Sequence, residues 1–161
     1  MHFKISCLLF IRNFEDKLLL LKRNKAPNLG LWSPPGGKLV MDSGESPVEC
    51  AQREAMEETG LILRDNDLKL FGYVSEKSYE GTGHWLMFLF DCKKPISHLP
   101  ESFDEGSFAF FERDEIKLLS IPESDHQLIW PYYDKRDEGV WGLRADWREG
   151  KPNIMIESKP K

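Results

Sequence analysis

Residues 34–61 constrain this chain more than any other stretch, because they join a double-glycine turn to a helix marked at both ends. Ser46 is a favourable N-cap, Pro47 suits the first helical position, and Glu49 completes a capping box with Ser46. Gly60 can end the helix in the left-handed conformation. The sequence therefore predicts a helix that begins at Pro47 and ends immediately before Gly60.

Three glutamates share one face of the predicted helix. Glu54, Glu57 and Glu58 are three or four residues apart or adjacent, and like charges at helical spacing repel by about 0.2–0.5 kcal/mol per pair. A hard divalent cation such as Mg²⁺ would turn this repulsion into a binding site, because it takes carboxylate oxygens and bridges to phosphate oxygens. A solvated acidic face is the better interpretation for three glutamates alone, so the rest of the stretch decides.

The whole stretch resembles the Nudix box. That pattern is Gly, five residues, Glu, seven residues, Arg-Glu, an aliphatic residue, any residue, Glu-Glu, any residue, Gly and an aliphatic residue. The matching residues here are Gly37, Glu45, Arg53, Glu54, Ala55, Glu57, Glu58, Gly60 and Leu61. The chain departs from the pattern twice, since seven residues separate Gly37 from Glu45 and Ala55 is smaller than the usual aliphatic residue.

The resemblance implies an α/β fold, a Nudix-type α/β/α sandwich with a curved mixed β-sheet. It is specific over residues 34–61 and general, by element order, over residues 3–130. A length of 161 residues predicts a single domain over residues 1–161. Its core is expected over about 3–130, with a C-terminal hairpin extension over about 131–161.

Hydrophobic patterns and turn residues predict the other elements. Three hairpins are expected, from residues 3–11 with 17–22, 68–79 with 84–92 around a turn at 80–83, and 140–147 with 153–157. Residues 18–21 are expected to be buried on both faces, and Gly72 to mark a bulge or a close approach. Ser124 and Asp125 are expected to cap a helix that runs through Trp130 and stops at Pro131.

Composition limits the classes of partner. The net charge is −5 without a basic run, which argues against a nucleic-acid polymer. An acidic protein that acts on polyphosphates would need metal ions to offset repulsion. Cys7, Cys50 and Cys92 are scattered and odd in number, which favours core positions in a reducing cytoplasm. We expect a cytoplasmic location, with neither a secretory signal nor a membrane span.

The resemblance also implies the roles of motif residues. Glu54, Glu57, Glu58 and the carbonyl oxygen of Gly37 are expected to bind Mg²⁺ or Mn²⁺, with Glu58 as the principal ligand. Glu54 is the first candidate for the general base or the group that orients water.

Residues outside this ligand set are expected to contribute to the structure and the chemistry of the site. Glu45 and Arg53 are expected to pair and tie the loop to the helix. Many Nudix enzymes take a base or a further ligand from outside the box, and Glu105 is preferred here over Glu101 and Asp104.

Substrate-binding candidates lie outside the helix. Lys38 could meet a phosphate, with a solvated lysine as the equal alternative. Trp32 and Tyr79 could contact the substrate, although packing is the favoured interpretation for both. Packing is also favoured over base stacking for Trp85 and Phe3.

Together these features predict a Mg²⁺-dependent hydrolase that cleaves the diphosphate of a nucleotide joined to another group. A MutT-like nucleoside triphosphate pyrophosphatase is favoured, because the signatures of other substrate classes are absent. ADP-ribose, nucleotide-sugar and dinucleoside polyphosphate hydrolases remain alternatives, as does a nucleotide-sensing module without catalysis. Trp141 and Trp147 could anchor a homodimer or close the domain internally.

Overall fold

The structure is a computed structural model that describes residues 2–26, 28–79 and 83–161. Its strands are β1 (Phe3–Phe10), β2 (Leu18–Arg23), β3 (Trp32–Ser33), β4 (Gly36–Lys38), β5 (Leu68–Lys77), β6 (His84–Cys92), β7 (Gly106–Phe111), β8 (Trp141–Asp146) and β9 (Asn153–Ser158). Its helices are α1 (Pro47–Thr59), α2 (Arg113–Ile116), α3 (Asp125–Leu128) and α4 (Trp130–Asp134). Short 3₁₀ turns cover Asp65–Asp67 and Arg136–Glu138.

The strands form one large and one small sheet. The large sheet has the order β4-β1-β6-β5-β8-β9, and the small sheet has the order β3-β2-β7. Strand β1 is parallel to β6 and β5 is parallel to β8, while the other neighbours in the large sheet are antiparallel. The large sheet is therefore mixed, as expected.

Two hydrophobic cores cover the two faces of the large sheet. Helix α1 packs its buried side of Cys50, Ala51 and Ala55 onto the face that includes Cys7 and Leu9. The short helices α2 to α4 cover the opposite face with α2's Ile116 and the aromatic side chains of α4. This helix–sheet–helix layering confirms the predicted α/β/α arrangement.

The predicted helix over Pro47–Thr59 is confirmed with both of its signals. The Ser46 side chain accepts a hydrogen bond from the backbone N–H of Glu49, and the Glu49 side chain accepts one from the backbone of Ser46. Gly60 ends the helix at φ 75°, a conformation that glycine adopts without steric cost. Local sequence signals therefore set both ends of α1, and with them the positions of the three glutamates on its acidic face.

The first predicted hairpin is wrong as a strand pair. Strand β1 lies in the large sheet and β2 lies in the small sheet. Among the described residues, a short antiparallel bridge between Arg12 and Leu18 joins the segments beside the turn, with the Leu19 N–H donating to the Ile11 carbonyl oxygen. Strand β2 pairs with β3 and β7 instead, and Leu18 to Leu21 are buried as predicted.

The predicted helix from Ser124 to Trp130 is also wrong in its limits. Helix α3 ends at Leu128, and α4 begins at Trp130 with Pro131 in its first turn. The Ser124 side chain makes no capping hydrogen bond. Proline at the start of a helix loses no intrahelical bond, so Pro131 fits the beginning of α4 rather than ending a helix.

The second hairpin is confirmed, since β5 and β6 pair in antiparallel register. The register shifts between Leu70 and Gly72, and a side chain at Gly72 would meet the backbone oxygen of Trp141. Gly72 is therefore both a bulge and a close approach. A turn is also predicted at 80–83. Residues 80–82 of this turn lie outside the described part of the chain, so the turn stays a prediction.

The C-terminal hairpin extends the large sheet, because β8 pairs with β5 and β9 pairs with β8. Trp141 is buried and packs against Tyr132, while the indole N–H of Trp147 donates a hydrogen bond to Glu76. These contacts favour the internal role for both tryptophans, and dimerisation stays a prediction. No helix of the described chain is long and apolar enough to cross a membrane.

Candidate active site

The double glycine of β4 lies directly against the acidic face of α1. The backbone N–H of Gly36 donates a hydrogen bond to Glu58 Oε2 at 3.2 Å. A side chain at Gly37 would collide with the carboxylate of Glu54. The β4 backbone at Gly37 therefore lies against the Glu54 carboxylate, and a side chain at this position would displace that carboxylate.

Arg53 and Glu45 form a bidentate ion pair. Arg53 Nε and Nη2 donate to the two oxygens of Glu45 at 2.7 and 2.9 Å. The hydrogen bonds from Arg53 hold the pKa of Glu45 down at about 2. The other Glu45 contact is the backbone N–H of Val40 at 3.0 Å, so the carboxylate ties the 38–46 loop to the helix.

Arg53 also reaches the acidic face itself. Its Nη1 donates to Glu54 Oε1 at 2.8 Å and to Glu57 Oε2 at 3.1 Å, and its Nη2 donates to the carbonyl oxygen of Lys38 at 3.0 Å. Hydrogen bonds to Glu45 raise the pKa of Arg53 further, so the guanidinium stays charged. Arg53 therefore connects the loop, strand β4 and two of the three helix glutamates.

Glu54 and Glu58 form a crowded carboxyl pair. Burial, followed by the charges of Glu54 and Glu105, raises the pKa of Glu58 to about 9. Burial also raises the pKa of Glu54, with the charge of Glu57 acting in the same direction. The neighbouring Glu54 carboxylate adds to the rise in the pKa of Glu58, because two carboxylates this close disfavour each other's ionisation.

Glu105 lies near this pair although it is 47 positions beyond Glu58 in the chain. It immediately precedes β7, and its carboxylate is one of the charges that raise the pKa of Glu58. The structure therefore brings together Glu54, Glu58 and the loop acid that the sequence favoured. Glu101 lies in the same loop and lines the cleft beside Glu57 and Glu58.

That cleft has a volume of about 480 Å³. One wall is the end of α1, from Glu57 to Thr59, and the other is the loop from His98 to Phe103. The acidic face of α1 thus borders an open space large enough for a small-molecule ligand.

The donor set has the chemistry of a hard-cation site. Carboxylate oxygens and a backbone carbonyl are the ligands that Mg²⁺ and Mn²⁺ prefer. The pKa values of Glu54 and Glu58 are raised by burial and by neighbouring carboxylates, which indicates that the fold gathers negative charge here. In the described part of the chain, no three acidic, histidine or cysteine side chains are already grouped as metal ligands. Glu57 is turned to Arg53 and is 58% exposed, so the third helix carboxylate stands apart.

The NUDIX domain model matches residues 2–130 of this chain. This chain belongs to the Nudix family. The match covers most of the sequence and includes the whole of β4 and α1, and family membership makes the protein a pyrophosphohydrolase.

Relatives agree with this assignment. An uncharacterized Nudix hydrolase YvcI of Bacillus subtilis is 30% identical over 116 residues, covering 71% of this chain and 70% of the relative. An ADP-ribose pyrophosphatase of Methanocaldococcus jannaschii is 30% identical over 125 residues, covering 78% and 70%. The crystal structure of the mutator MutT protein from Bacillus halodurans superposes with a TM-score of 0.74 at 23% identity, over 98% of this chain and 99% of that one.

The three substrate-binding candidates of this Nudix protein, Lys38, Trp32 and Tyr79, have different surroundings. Lys38 follows Gly37 directly and is exposed. Trp32 lies in β3 with its ring edge-on to Phe111, and Tyr79 packs edge-on against Trp147. Trp32 and Tyr79 thus have the packing contacts that the sequence favoured, and substrate contact by any of the three stays a prediction.

Two contacts of the Nudix site escaped sequence reasoning. Gly36 was grouped with the turn, yet its N–H binds Glu58, and its position next to Gly37 was the available signal. Cys50 was assigned to the core, where it lies, but its Sγ is also 3.6 Å from the carbonyl oxygen of Gly37 and 3.3 Å from Cys7 Sγ. The helical pattern does not reveal that second contact, because it joins α1 to a different element.

Proposed function

We propose that this protein is a Mg²⁺- or Mn²⁺-dependent Nudix hydrolase that cleaves the diphosphate of a nucleotide joined to another group. The observation that carries the proposal is the crowded pair of Glu54 and Glu58 against the side-chain-free backbone of Gly36 and Gly37. Crowded carboxylates next to an open cleft are costly for folding, and a cation with its phosphate ligand would offset that cost.

Glu58 and Glu54 would hold the metal, with Glu57 and the carbonyl oxygen of Gly37 as further ligands. The bound metal would neutralise charge on the phosphate oxygens and lower the pKa of a coordinated water. The Glu57 carboxylate is exposed, and its contact in the described chain is with Arg53, so it can turn toward a ligand at low cost. The carbonyl oxygen of Gly37 lies close to α1, 3.6 Å from Cys50 Sγ.

The acidic residues of the site have either a catalytic or a structural role in this proposal. We assign Glu54 the role of general base or water-orienting group, since burial raises its pKa toward the range in which a base works at neutral pH. Glu105 is our candidate for a further ligand or the alternative base, because its carboxylate is close enough to Glu58 to help raise the pKa of that residue. Glu45 and Arg53 hold the loop and helix in register.

A nucleoside triphosphate is the favoured substrate, cleaved to a nucleoside monophosphate and pyrophosphate. The sequence lacks the proline found about fifteen residues beyond the box in many ADP-ribose hydrolases, and Tyr79 alone is weak support for dinucleoside polyphosphates. ADP-ribose is the second candidate, because one relative of 30% identity is an ADP-ribose pyrophosphatase. Nucleotide sugars and dinucleoside polyphosphates complete the set to be tested.

A substrate panel tests the proposal. Purified protein with Mg²⁺ is incubated with nucleoside triphosphates, ADP-ribose, a nucleotide sugar and a dinucleoside polyphosphate, and the released phosphate products are measured. We expect turnover of at least one nucleotide, lost in Glu58→Gln and kept in Glu49→Gln, whose capping box a glutamine preserves. Turnover that survives Glu58→Gln would contradict the proposal, and binding without turnover would favour the sensing module.

A further inference from the structure

Cys7 and Cys50 form a pair of thiols beside the acidic site. Cys7 lies in β1 and Cys50 lies in the first turn of α1, and their Sγ atoms are 3.3 Å apart although the residues are 43 positions apart in the chain. The sequence predicted core positions for both, which the structure confirms, but it did not predict their contact. Because bonded sulfur atoms lie about 2.05 Å apart, an approach of about 1.3 Å would join the pair in a disulfide.

The pair contacts the backbone that carries a proposed metal ligand. Cys7 lies directly opposite Gly37 in the β1–β4 register. Cys50 Sγ is 3.6 Å from the carbonyl oxygen of Gly37 and 3.8 Å from Nη2 of Arg53. Arg53 donates through Nη1 to Glu54, which follows Cys50 by one turn of the helix. A change at the two sulfur atoms therefore acts on both sides of the site, β4 and α1.

Strand β4 lies against the pair at the edge of the large sheet. It has three residues, and in the described chain its sheet partner is β1. Both thiols are fully buried, and buried thiols are inert, so the closed structure protects them from oxidants. Short segments with few buried contacts open locally at a lower cost than a central strand. Because the Gly37 carbonyl is also a proposed metal ligand, an occupied metal site would hold β4 against α1 and keep the pair covered.

We propose that Cys7 and Cys50 are a redox switch that disables the metal site when hydrogen peroxide oxidises them to a disulfide. The two S–H bonds and the O–O bond of the peroxide break, and one S–S bond forms. The two thiols lose two electrons and two protons to the peroxide oxygens, which leave as two water molecules. In a reducing compartment such a disulfide is transient, as in other redox sensors. This inference rests on the proposed function, because its consequence falls on the metal site.

The disulfide changes the surroundings of the metal ligands in two ways. It removes the Cys50 thiol hydrogen from beside the carbonyl oxygen of Gly37, and it draws the first turn of α1 toward β1. Groups that orient metal ligands typically contribute about 10- to 100-fold to metal affinity. We therefore expect oxidation to weaken metal binding by a factor in this range.

Peroxide treatment of matched variants tests the switch. The full chain is treated with hydrogen peroxide in the presence and absence of Mn²⁺, and peptide mass spectrometry locates the cross-link. Mn²⁺ uptake is then measured by isothermal titration after the peroxide is removed. Cys7→Ala cannot form the disulfide but keeps Cys50 beside Gly37. Cys92→Ala is the matched control, because Cys92 is also buried but contacts the carbonyl oxygen of Lys94.

We expect peroxide to join Cys7 to Cys50 in wild type and in Cys92→Ala, and to lower their affinity for Mn²⁺ about 10- to 100-fold. Dithiothreitol should restore that affinity, and Mn²⁺ added before the peroxide should slow the cross-link. Cys7→Ala should bind Mn²⁺ equally well before and after peroxide. The proposal would be overturned by absence of the cross-link, by a rate of cross-linking that Mn²⁺ does not change, by unchanged Mn²⁺ affinity in the cross-linked protein, or by an equal loss of affinity in Cys7→Ala.

The reduced wild type separates this inference from the proposed function. If the reduced protein takes up no Mn²⁺, the proposed function fails, and a cross-link would have no metal site to act on, so the switch fails as well. If the reduced protein takes up Mn²⁺ and peroxide leaves that uptake unchanged, the switch fails and the proposed function stands.

Discussion

Glu45 and Glu58 belong to the same motif and differ in what surrounds their carboxylates. Glu45 accepts two hydrogen bonds from Arg53, and its pKa is lowered to about 2. Glu58 is crowded by Glu54 and Glu105, and burial raises its pKa to about 9. A carboxylate with its own cation holds the structure together, whereas one without a cation is left for a ligand. Within one motif, Glu45 thus has a structural role and Glu58 has the proposed catalytic role.

The largest expected effect separates these roles by activity. Glu58→Gln should lower kcat about 10²- to 10⁴-fold, as expected for a group that acts on the reacting atoms, while the folded state becomes more stable. Glu45→Gln should destabilise the protein and leave kcat far less affected. Initial rates at saturating nucleotide, with thermal unfolding of each variant, measure both. Equal losses of kcat in the two variants would break the comparison.

A second prediction concerns Arg53, whose hydrogen bonds lower the pKa of Glu45. Arg53→Lys should lower the free energy of unfolding by about 1–3 kcal/mol, because a lysine cannot make the bidentate contact to Glu45 and still reach Glu54. Urea unfolding measures this change.

The Arg113–Asp134 pair is the matched control for Arg53→Lys. It is also bidentate, at 2.7 and 2.9 Å, but Asp134 is 48% exposed. Arg113→Lys should cost less than about 1 kcal/mol. A similar cost for both substitutions would show that Arg53 is no more than a surface ion pair.

A third prediction concerns the pH dependence of stability without metal. The raised pKa of Glu58 means that the folded state binds more protons than the unfolded state between about pH 4.5 and 9, so stability falls as pH rises through that window. Glu58→Gln should therefore gain about 1–3 kcal/mol over wild type from pH 5 to pH 8. The lowered pKa of Glu45 acts oppositely, and its contribution is lost as pH falls from about 4.5 toward 2. A difference between wild type and Glu58→Gln that does not change with pH would contradict this assignment.

The sequence predicted helix α1 and its acidic face because the signals are local. Ser46, Pro47, Glu49 and Gly60 act within one turn of the residues that they cap. The pairing of Glu45 with Arg53 was also predictable, since the family pattern couples them. Glu105 was the least local of these predictions, and only folding brings it to Glu58.

The failures involve partners that lie far apart in the chain. Residues 3–11 and 17–22 both have strand patterns, but no local signal tells that β2 joins a different sheet. Pro131 can end one helix or begin another, and the packing of α4 decides between them.

Metal titration of the purified protein tests the central claim most directly. Isothermal titration with Mn²⁺ in two buffers of different ionisation enthalpy measures both uptake and proton release at pH 7. We predict saturable uptake in wild type and in Glu49→Gln, loss of uptake in Glu58→Gln, and release of a proton on binding because the pKa of Glu58 is raised. No uptake by wild type, or equal uptake by Glu58→Gln, would contradict the account.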